Sequence, residues 1–542
     1  MRTVIDPAGL TPAERRVWEA FPLGEGVDFR EEPAASAADS GGSPADDPAA
    51  GASWGPERTV RAEVLRALLI DGPAQDGEIA GLKLTGARIT GQLDLVYGTV
   101  EQAVQLRFCH FEQPLKLYGA QLRALVLSDS VLPGLKGGNL RVDGVLRLSC
   151  CRVTGPIRLQ GAKISGAVFV NGARLGSPAA PDADAGDAAA EPVLQLNHAA
   201  IGTDLWAVGL VAHGQVRLNG ATVGGQVNLD EADLHVPAGE TALHAETLSV
   251  GTDLRAVRLR ARGRVNLSGS RIPHQLNLAY ARLSNPGGPA LRASSCVIGE
   301  LWLREAAPIV GTVNLRRSQL DLLHVPPGVW PDRVRIDGLG YRTLAPHLPA
   351  EQRLPLLERE EGGYLPYAYE QLAAAYRTAG DDAAARTVQL AKLRRHRRTL
   401  PRYARFWGRL QDVAVGYGYR PMRAAGWLLL LLCTGATAFT LHHPPALKPA
   451  EAPGFNPVFY TLDLLLPLVD FGQETAFAPR GWYQWLSYLL IAVGWILATT
   501  IAAGRHPLPE PAVASRRATT RNGERLPGTG LLAGAPGTSM AA

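Results

Sequence analysis

The sequence predicts a mainly β protein: a parallel β-helix of about 11-residue units, two per coil, followed by an α-helical hairpin and two transmembrane helices. Three observations predict this fold. An apolar-x-apolar triplet recurs mostly every 11 residues between residues 81 and 325. Residues 365–393 change to helical periodicity. Two uncharged runs, 424–441 and 481–504, have the length of a bilayer span.

The triplets define the β-helix. Leu146-Arg147-Leu148 is one example, and a further apolar residue, Val153, follows seven positions after its first leucine. Units this short exclude a helical solenoid, so each triplet is predicted to be a short strand with both apolar side chains pointing inward. Two units per coil predict a coil of about 22 residues and a stack of about ten coils.

The middle residue of each triplet is predicted to point outward. These residues form a mixed surface without paired carboxylates, which suits contact with a cytoplasmic protein partner, and no nucleic-acid partner is expected. They are Lys83, Asp94, Gln105, Lys116, Arg147, Arg158, Arg217, Asn228, Arg255, Asn266, Asn277, Arg292 and Asn314.

Two resemblances accompany this repeat. The run LRLSCCRVTGPIRLQGAKISGAVFVNGARLG (146–176) resembles pentapeptide-repeat and other parallel β-helix proteins, which implies a β-helix fold. Most of the chain also resembles an actinobacterial group commonly labelled membrane-associated oxidoreductases. That label implies an oxidoreductase activity and a location at the membrane.

Composition and helix signals suggest how the chain is divided. Thr11 and Glu14 form a capping box at the start of a short helix. The predicted segments are an N-terminal helix (1–30), a disordered linker (31–58), a capping helix (59–80), the β-helix (81–325), a connector (326–364), a helical hairpin with a basic juxtamembrane segment (365–423), two transmembrane helices with an intervening loop (424–504) and a disordered tail (505–542).

The hairpin resembles a single tetratricopeptide-like unit, with a turn at Gly380-Asp381-Asp382. One such hairpin cannot bury its apolar face alone, so we expect it to cap the last β-coil.

The charges that flank the two apolar runs predict an orientation. Positive charge is concentrated before the first run and after the second, so the positive-inside rule places both termini in the cytoplasm of a protein of the cell membrane. Part of the first cluster is predicted to contact the bilayer and its anionic headgroups, the alternative being a solvated helix face. Its residues are Arg394, Arg395, Arg397, Arg398, Arg402, Arg405 and Arg409.

Small residues in the second run predict close helix packing. Gly494, Ala498 and Ala502 are spaced four apart and would lie on one face of a helix. The packing partner is either the first apolar run or another copy of the chain, so homo-oligomerisation is an open expectation.

The loop between the runs resembles the pore loop of two-transmembrane channels, as in a degenerate member of that family. The filter sequence T-V-G-Y-G-D aligns with Leu468-Val469-Asp470-Phe471-Gly472-Gln473, in which Val469 and Gly472 match. Asp470 replaces the first filter glycine, which argues against potassium selectivity. Three interpretations stay open: a relic of the channel fold, a non-selective pore with an aspartate ring, or a plain extracellular loop.

No motif identifies a catalytic residue, a cofactor or a metal site. The dinucleotide fingerprint, the P-loop and HExxH are all absent from the sequence. The adjacent Cys150 and Cys151 do not match a redox pair and are predicted to be one surface and one core thiol. The leading hypothesis is a membrane-anchored cytoplasmic β-helix scaffold or interaction protein. The alternatives are a channel-derived protein with a regulatory repeat domain and a membrane-associated oxidoreductase, so enzymatic activity is left open.

Overall fold

A computed structural model describes residues 7–30, 46–178, 192–399, 421–448, 452–466 and 471–503. The chain divides into two compact units, Met1–Gly408 and Arg409–Ala542.

The first unit is a parallel β-solenoid of about 11 turns, as predicted. Leu146 pairs with Val168, and Val142 with Ile164, each 22 residues further along the chain. The expected two units per coil are therefore confirmed.

The solenoid strands form two parallel sheets, which we call A and B. The strands of sheet A are Gly26–Asp28, Leu82–Thr85, Thr99–Arg107, Gln121–Val126, Arg141–Val142, Leu146–Arg147, Lys163–Ile164, Val168–Phe169, Ala200–Ile201, Leu205–Trp206, Thr222–Val223, Val227–Asn228, Ser249–Val250, Leu254–Arg255, Arg271–Asn277, Val297–Trp302, Gln319–His324 and Gly340–Ala345. The strands of sheet B are Thr59–Arg61, Arg88–Thr90, His110–Phe111, Leu115–Lys116, Val131–Leu132, Leu135–Lys136, Arg152–Val153, Ile157–Arg158, Arg174–Leu175, Leu194–Gln195, Val211–His213, Val216–Arg217, Asp233–His235, Thr241–His244, Arg260–Arg262, Arg264–Asn266, Arg282–Arg292, Val310–Asn314 and Arg333–Arg335.

Each sheet contains two rows of strands. Along one coil the chain passes through Val142 and Leu146 in sheet A and then through Val153 and Ile157 in sheet B. Each of these residues pairs with the equivalent residue of a neighbouring coil, so that four separate rows of strands form. The coil therefore has four sides, which agrees with the resemblance to pentapeptide-repeat proteins.

The corners between rows explain the 11-residue spacing. In the unit that begins at Ile157, Gly161 adopts a left-handed conformation with φ +67°, and the N–H of Ala162 donates to the Leu159 carbonyl at 3.1 Å. A positive φ at the third residue of such a turn reverses the chain tightly. Ala162 is then fully buried, where only a small side chain fits between stacked coils.

Two helices lie beside the first strands. Helix α1 (Pro12–Ala20) begins with the predicted capping box of Thr11 and Glu14, and α2 (Ala62–Asp71) follows the first strand of sheet B. Residues 46–58, expected to belong to the disordered linker, form two short 3₁₀ turns at Pro48–Ser53 and Pro56–Arg58. That part of the predicted linker is folded.

Three helices follow the last strand: α3 (Ala350–Glu358), α4 (Pro366–Thr378) and α5 (Asp382–Thr399). Helices α4 and α5 are the predicted hairpin. Gln371 of α4 donates to the Tyr341 carbonyl in the last strand of sheet A. The hairpin thus packs against the last coil, as its apolar face requires.

The second unit contains α6 (Pro421–Leu441), α7 (Pro457–Leu465) and α8 (Trp482–Ala503). Its core is built around Phe439, Tyr460 and Leu490, all fully or almost fully buried. Phe439 and Tyr460 meet edge to face with ring centroids 4.9 Å apart.

The prediction of two transmembrane helices at 424–441 and 481–504 is wrong. Over the residues that the structure describes, no helix combines the length and the apolarity needed to cross a membrane. The sequence argument counted the absence of charge, whereas Thr434, Thr437 and Thr440 place hydroxyl groups along α6. The location at the cell membrane and the orientation of the termini stay predictions.

Candidate functional site

The outward side chains of sheet B form a surface with a strong excess of positive charge, which we call the basic side. The strands of sheet B carry fifteen lysines and arginines against one acid, Asp233, whereas the strands of sheet A carry nine against four. The basic residues of sheet B are Arg61, Arg88, Lys116, Lys136, Arg152, Arg158, Arg174, Arg217, Arg260, Arg262, Arg264, Arg282, Arg292, Arg333 and Arg335.

The triplet register builds a ladder along one row of this side. Lys136 lies in register with Lys116 in one neighbouring strand and with Arg158 in the other. Neighbouring strands lie about 4.8 Å apart, so side chains in register are direct neighbours. The ladder continues through Gln195, Arg217, His244, Asn266, Arg292, Asn314 and Arg335.

Acidic residues offset only part of this charge. Arg152 pairs with Asp47 at 3.2 Å, and Arg335 with Glu361 at 2.5 Å. Within the described ranges, eight basic residues of sheet B take part in no ion pair: Lys136, Arg174, Arg217, Arg260, Arg262, Arg264, Arg282 and Arg292. The uncompensated charge therefore lies in the central coils.

Two histidines lie among these cations. The rings of His213 and His235 stack with centroids 5.3 Å apart, and Nε2 of His235 lies 2.8 Å from Asp233. Partial burial, with a contribution from His235, lowers the pKa of His213 below its ordinary value. Arg262 is the next residue in register after His235. Protonation of His213 would place a further cation in this row.

Several asparagines predicted to face a partner instead stabilise the corners. The side-chain oxygens of Asn228, Asn266 and Asn277 each accept the N–H two residues on, at 2.9, 3.2 and 3.0 Å. This is the Asx-turn arrangement. Asn228 and Asn266 are also buried, so their side chains serve the fold more than a partner.

Two acids that directly precede strands of sheet A, Asp204 and Asp253, are engaged with the backbone. Asp204 accepts the Gln226 N–H at 2.8 Å, and Asp253 accepts the Gln275 N–H at 3.0 Å. Each carboxylate thus ties one coil to the next.

The prediction for the adjacent cysteines is confirmed. Cys151 is buried and Cys150 is exposed. Burial raises the pKa of the Cys151 thiol to about 12, and likewise that of Cys109. These two buried thiols are therefore protonated at neutral pH and behave as small core groups.

The pore-loop-like segment is only partly described. Leu468, Val469 and Asp470 lie outside the described residues. The N–H groups of Phe471 and Gln473 donate to the buried carboxylate of Asp463 at 2.6 and 2.8 Å. Gly472 has a φ of +75°. The carboxylate of α7 thus organises the backbone just after the predicted filter.

The predicted membrane-surface arginines are divided between α5 and the part of the chain outside the described residues. Arg394 and Arg395 lie in α5, and Arg395 is 3.9 Å from Glu358. Arg397 and Arg398 belong to the same helix. The remaining three, Arg402, Arg405 and Arg409, lie outside the described residues.

The predicted packing residues lie in α8. A Cβ at Gly494 would be 2.3 Å from the Leu465 carbonyl oxygen, so α7 and α8 approach each other closely at this point. Ala498 and Ala502 belong to the same helix.

The segregation of charge between the two sheets was missed from the sequence. The predicted outward residues alone do not reveal it, because they include three basic residues in sheet A and four in sheet B, with Asp94 beside the latter. Much of the excess comes from residues directly before the second apolar position of a unit, such as Arg152, Arg174 and Arg282, which the triplet pattern does not include.

No catalytic constellation was predicted. Among the residues that the structure describes, no group of three His, Cys, Asp or Glu side chains is placed to hold a metal ion.

Comparison of the chain with protein-family models, curated proteins and solved structures found no match. The parallel β-solenoid agrees with the resemblance to β-helix proteins, and no relative supports the oxidoreductase or channel resemblance.

Proposed function

We propose that the chain is an interaction scaffold whose basic side binds an acidic surface of a partner protein. The observation that carries this proposal is the charge segregation: fifteen basic strand residues against one acid on sheet B. Stacked coils present these charges on a regular, already folded backbone, so little backbone conformational entropy is lost when a partner binds. Complementary charge steers association and selects partners.

The dimensions of the basic side suit a protein partner. From Lys136 to Arg292 the ladder spans six strand steps, or about 30 Å at the usual strand spacing. A surface of that length and two strand rows wide approaches the roughly 800 Å² that each partner contributes to a standard protein interface.

The ladder favours a protein over a nucleic acid because its charge is interrupted. Beyond Arg158, the row of arginines is interrupted by Gln195 before Arg217 and by His244 and Asn266 before Arg292. Nucleic-acid affinity depends on dense neutralisation of phosphates, whereas a protein surface offers both carboxylates and neutral polar groups.

The test uses the full-length chain with poly-L-glutamate as the acidic probe. Lys136→Glu combined with Arg217→Glu reverses two positions of the ladder. We expect poly-L-glutamate affinity, measured by fluorescence anisotropy, to fall at least about tenfold, a loss of about 1.4 kcal/mol. The matched control on sheet A, Arg141→Glu with Lys163→Glu, should change the affinity less than about twofold, which is within the scatter of rim charges.

Two results would overturn this function. An equal loss in both double variants would mean diffuse attraction without a binding side. Tighter binding of duplex DNA than of poly-L-glutamate at the same salt concentration would assign the basic side to a nucleic acid.

We also propose that the second unit associates with a lipid bilayer, because one observation favours this. Trp482, Trp485 and Tyr488 at the start of α8 are largely exposed, at 79, 71 and 53%. Large amphipathic rings are typical of the membrane–water interface.

Flotation of the full-length chain with phosphatidylcholine vesicles, with and without phosphatidylserine, tests the bilayer association. The wild-type chain should float with the vesicles, and Trp482→Ser with Trp485→Ser should reduce the floated fraction. A wild-type chain that stays in the dense fraction with both vesicle compositions contradicts it.

A further inference from the structure

An arginine-lined cleft lies where sheet A turns into sheet B. Its volume is about 370 Å³, and its walls are Arg258, Arg260, Tyr280, Arg282, Glu305 and Ala307. A cleft of this size is within the range of small-molecule sites.

Three successive coils build the cleft. Arg258, Tyr280 and Glu305 occupy the left-handed corner position with φ values of +57°, +58° and +51°. In preceding coils this corner position holds Asp129, Cys150, Gly172, Gly209 and Glu231, so it accepts glycine and non-glycine residues alike. At Arg258, Tyr280 and Glu305 the corner therefore supplies three long side chains from adjacent coils to one wall of the cleft.

Arg260 and Arg282 supply the floor of the cleft. They lie in register on neighbouring strands, so their side chains emerge about 4.8 Å apart. Neither makes an ion pair or a side-chain hydrogen bond with any residue in the described part of the chain. Like charges in direct register destabilise a sheet unless an anion offsets them, and Asp233, in register with Arg260 on its other side and bonded to His235, offsets only part of this charge.

The remaining charged groups of the cleft already have partners. Arg258 lies 3.6 Å from Glu231, and its guanidinium is 5.5 Å from the centroid of the Tyr280 ring. Glu305 lies 3.2 Å from Arg304, and hydrogen bonds from Tyr280 and Arg304 hold its pKa below the usual range. The Glu305 carboxylate is therefore partly offset, and the charge that faces the cleft is that of the arginines.

We propose that this cleft binds a phosphate monoester. Two guanidinium groups on adjacent strands offer paired N–H donors to the oxygens of one phosphoryl group, a geometry that suits arginine better than lysine. The partly exposed ring of Tyr280 stands beside them as a wall for the organic group of the ligand. This inference goes beyond the proposed scaffold function, because the ligand is a small molecule and the site is local.

Phenyl phosphate and inorganic phosphate are the probes, titrated into the full-length chain by calorimetry at constant ionic strength. We expect saturable binding of phenyl phosphate that weakens at least about tenfold in Arg260→Gln and in Arg282→Gln. The control is Arg174→Gln, an arginine of the same row that also has no ion pair in the described residues but does not line the cleft. It should leave the affinity unchanged.

Three results would overturn the proposal. The first is an absence of saturable binding of phenyl phosphate. The second is an equal loss in all three variants. The third is inorganic phosphate binding as tightly as phenyl phosphate, which would assign the cleft to the free ion. Thermal unfolding of each variant confirms that it is folded. Measuring poly-L-glutamate binding in the Arg260 and Arg282 variants distinguishes failure of the phosphate-site proposal from failure of the scaffold function.

Discussion

Each triplet of the solenoid places two side chains in a dry column and one side chain outside it. Leu276 is fully buried, whereas the neighbouring Asn277 is partly exposed and accepts the Ala279 N–H through its side-chain oxygen. The same polar atom could not be accommodated one residue earlier, because the column offers no partner for it. The tolerance of the two positions should therefore differ sharply.

Leu276→Asp should destabilise the chain by more than about 4 kcal/mol, since it buries either an unpaired charge or a newly protonated acid. Asn277→Asp should cost no more than about 1.5 kcal/mol, because the new carboxylate keeps the oxygen that accepts from Ala279 and loses only the hydrogen bond that the amide donates to Gln275. Thermal unfolding followed by circular dichroism measures both. Equal tolerance at the two positions would contradict the inward and outward assignment.

His213 gives the stability a pH dependence. Burial and the neighbouring His235 lower its pKa in the folded chain below the value of 6.5 expected when unfolded, while Asp233 acts in the opposite direction. The unfolded chain therefore binds the proton more readily, and stability should fall as the pH drops through 6.5 towards the folded pKa. His213→Gln should flatten part of the decline in thermal midpoint between pH 7.5 and pH 5.5, while an unchanged slope would exclude His213 as a cause.

Among the helices, α7 is held by close contacts on two sides. A Cβ at Gly435 of α6 would lie 2.3 Å from Cγ2 of Thr461, and one at Gly494 of α8 would lie 2.3 Å from the carbonyl oxygen of Leu465. Such distances are far below van der Waals contact. Glycine is required at Gly494 in particular, since the atom it meets belongs to the backbone and cannot rotate away.

Gly494→Ala should separate α7 from α8 and destabilise the second unit by about 1–3 kcal/mol, as overpacking does. Faster amide hydrogen exchange in Pro457–Leu465, measured by mass spectrometry on the full-length chain, would report the change. The matched control is Gly426→Ala in α6, where a Cβ meets nothing within 4 Å. That change should leave amide hydrogen exchange unchanged or slower, because alanine favours the helix over glycine by up to about 1 kcal/mol. Faster exchange in both variants would contradict the packing argument.

At the scale of the whole chain, strict periodicity made the solenoid predictable. The 11-residue spacing sets the in-register pairs directly. The capping box at Thr11 and the hairpin of α4 and α5 were predicted from local sequence signals, and the structure contains both. The basic side was not predicted, because much of its charge comes from residues outside the triplets, such as Arg152, Arg174 and Arg282. The two spans were mispredicted from the absence of charge alone.

The basic side also predicts how charge affects the stability of the solenoid. Lys136 is exposed between Lys116 and Arg158, in register with both, so like charges are direct neighbours on two sides. Natural selection for stability alone would not favour such a row, whereas binding of an acidic partner would offset its repulsion. A substitution that removes the repulsion should therefore raise stability and weaken binding together.

Lys136→Glu converts two like-charge neighbours into opposite-charge neighbours, each worth about 0.2–1 kcal/mol, and should raise the thermal midpoint of the full-length chain. Lys136→Gln, which only removes the charge, should give an intermediate gain. Both gains should shrink as salt is raised towards 1 M, where the screening length falls to about 3 Å. A lower midpoint in Lys136→Glu, or a gain that salt leaves unchanged, would show that the row is not electrostatically strained, and the basic side would then lose its main physical argument as a binding surface.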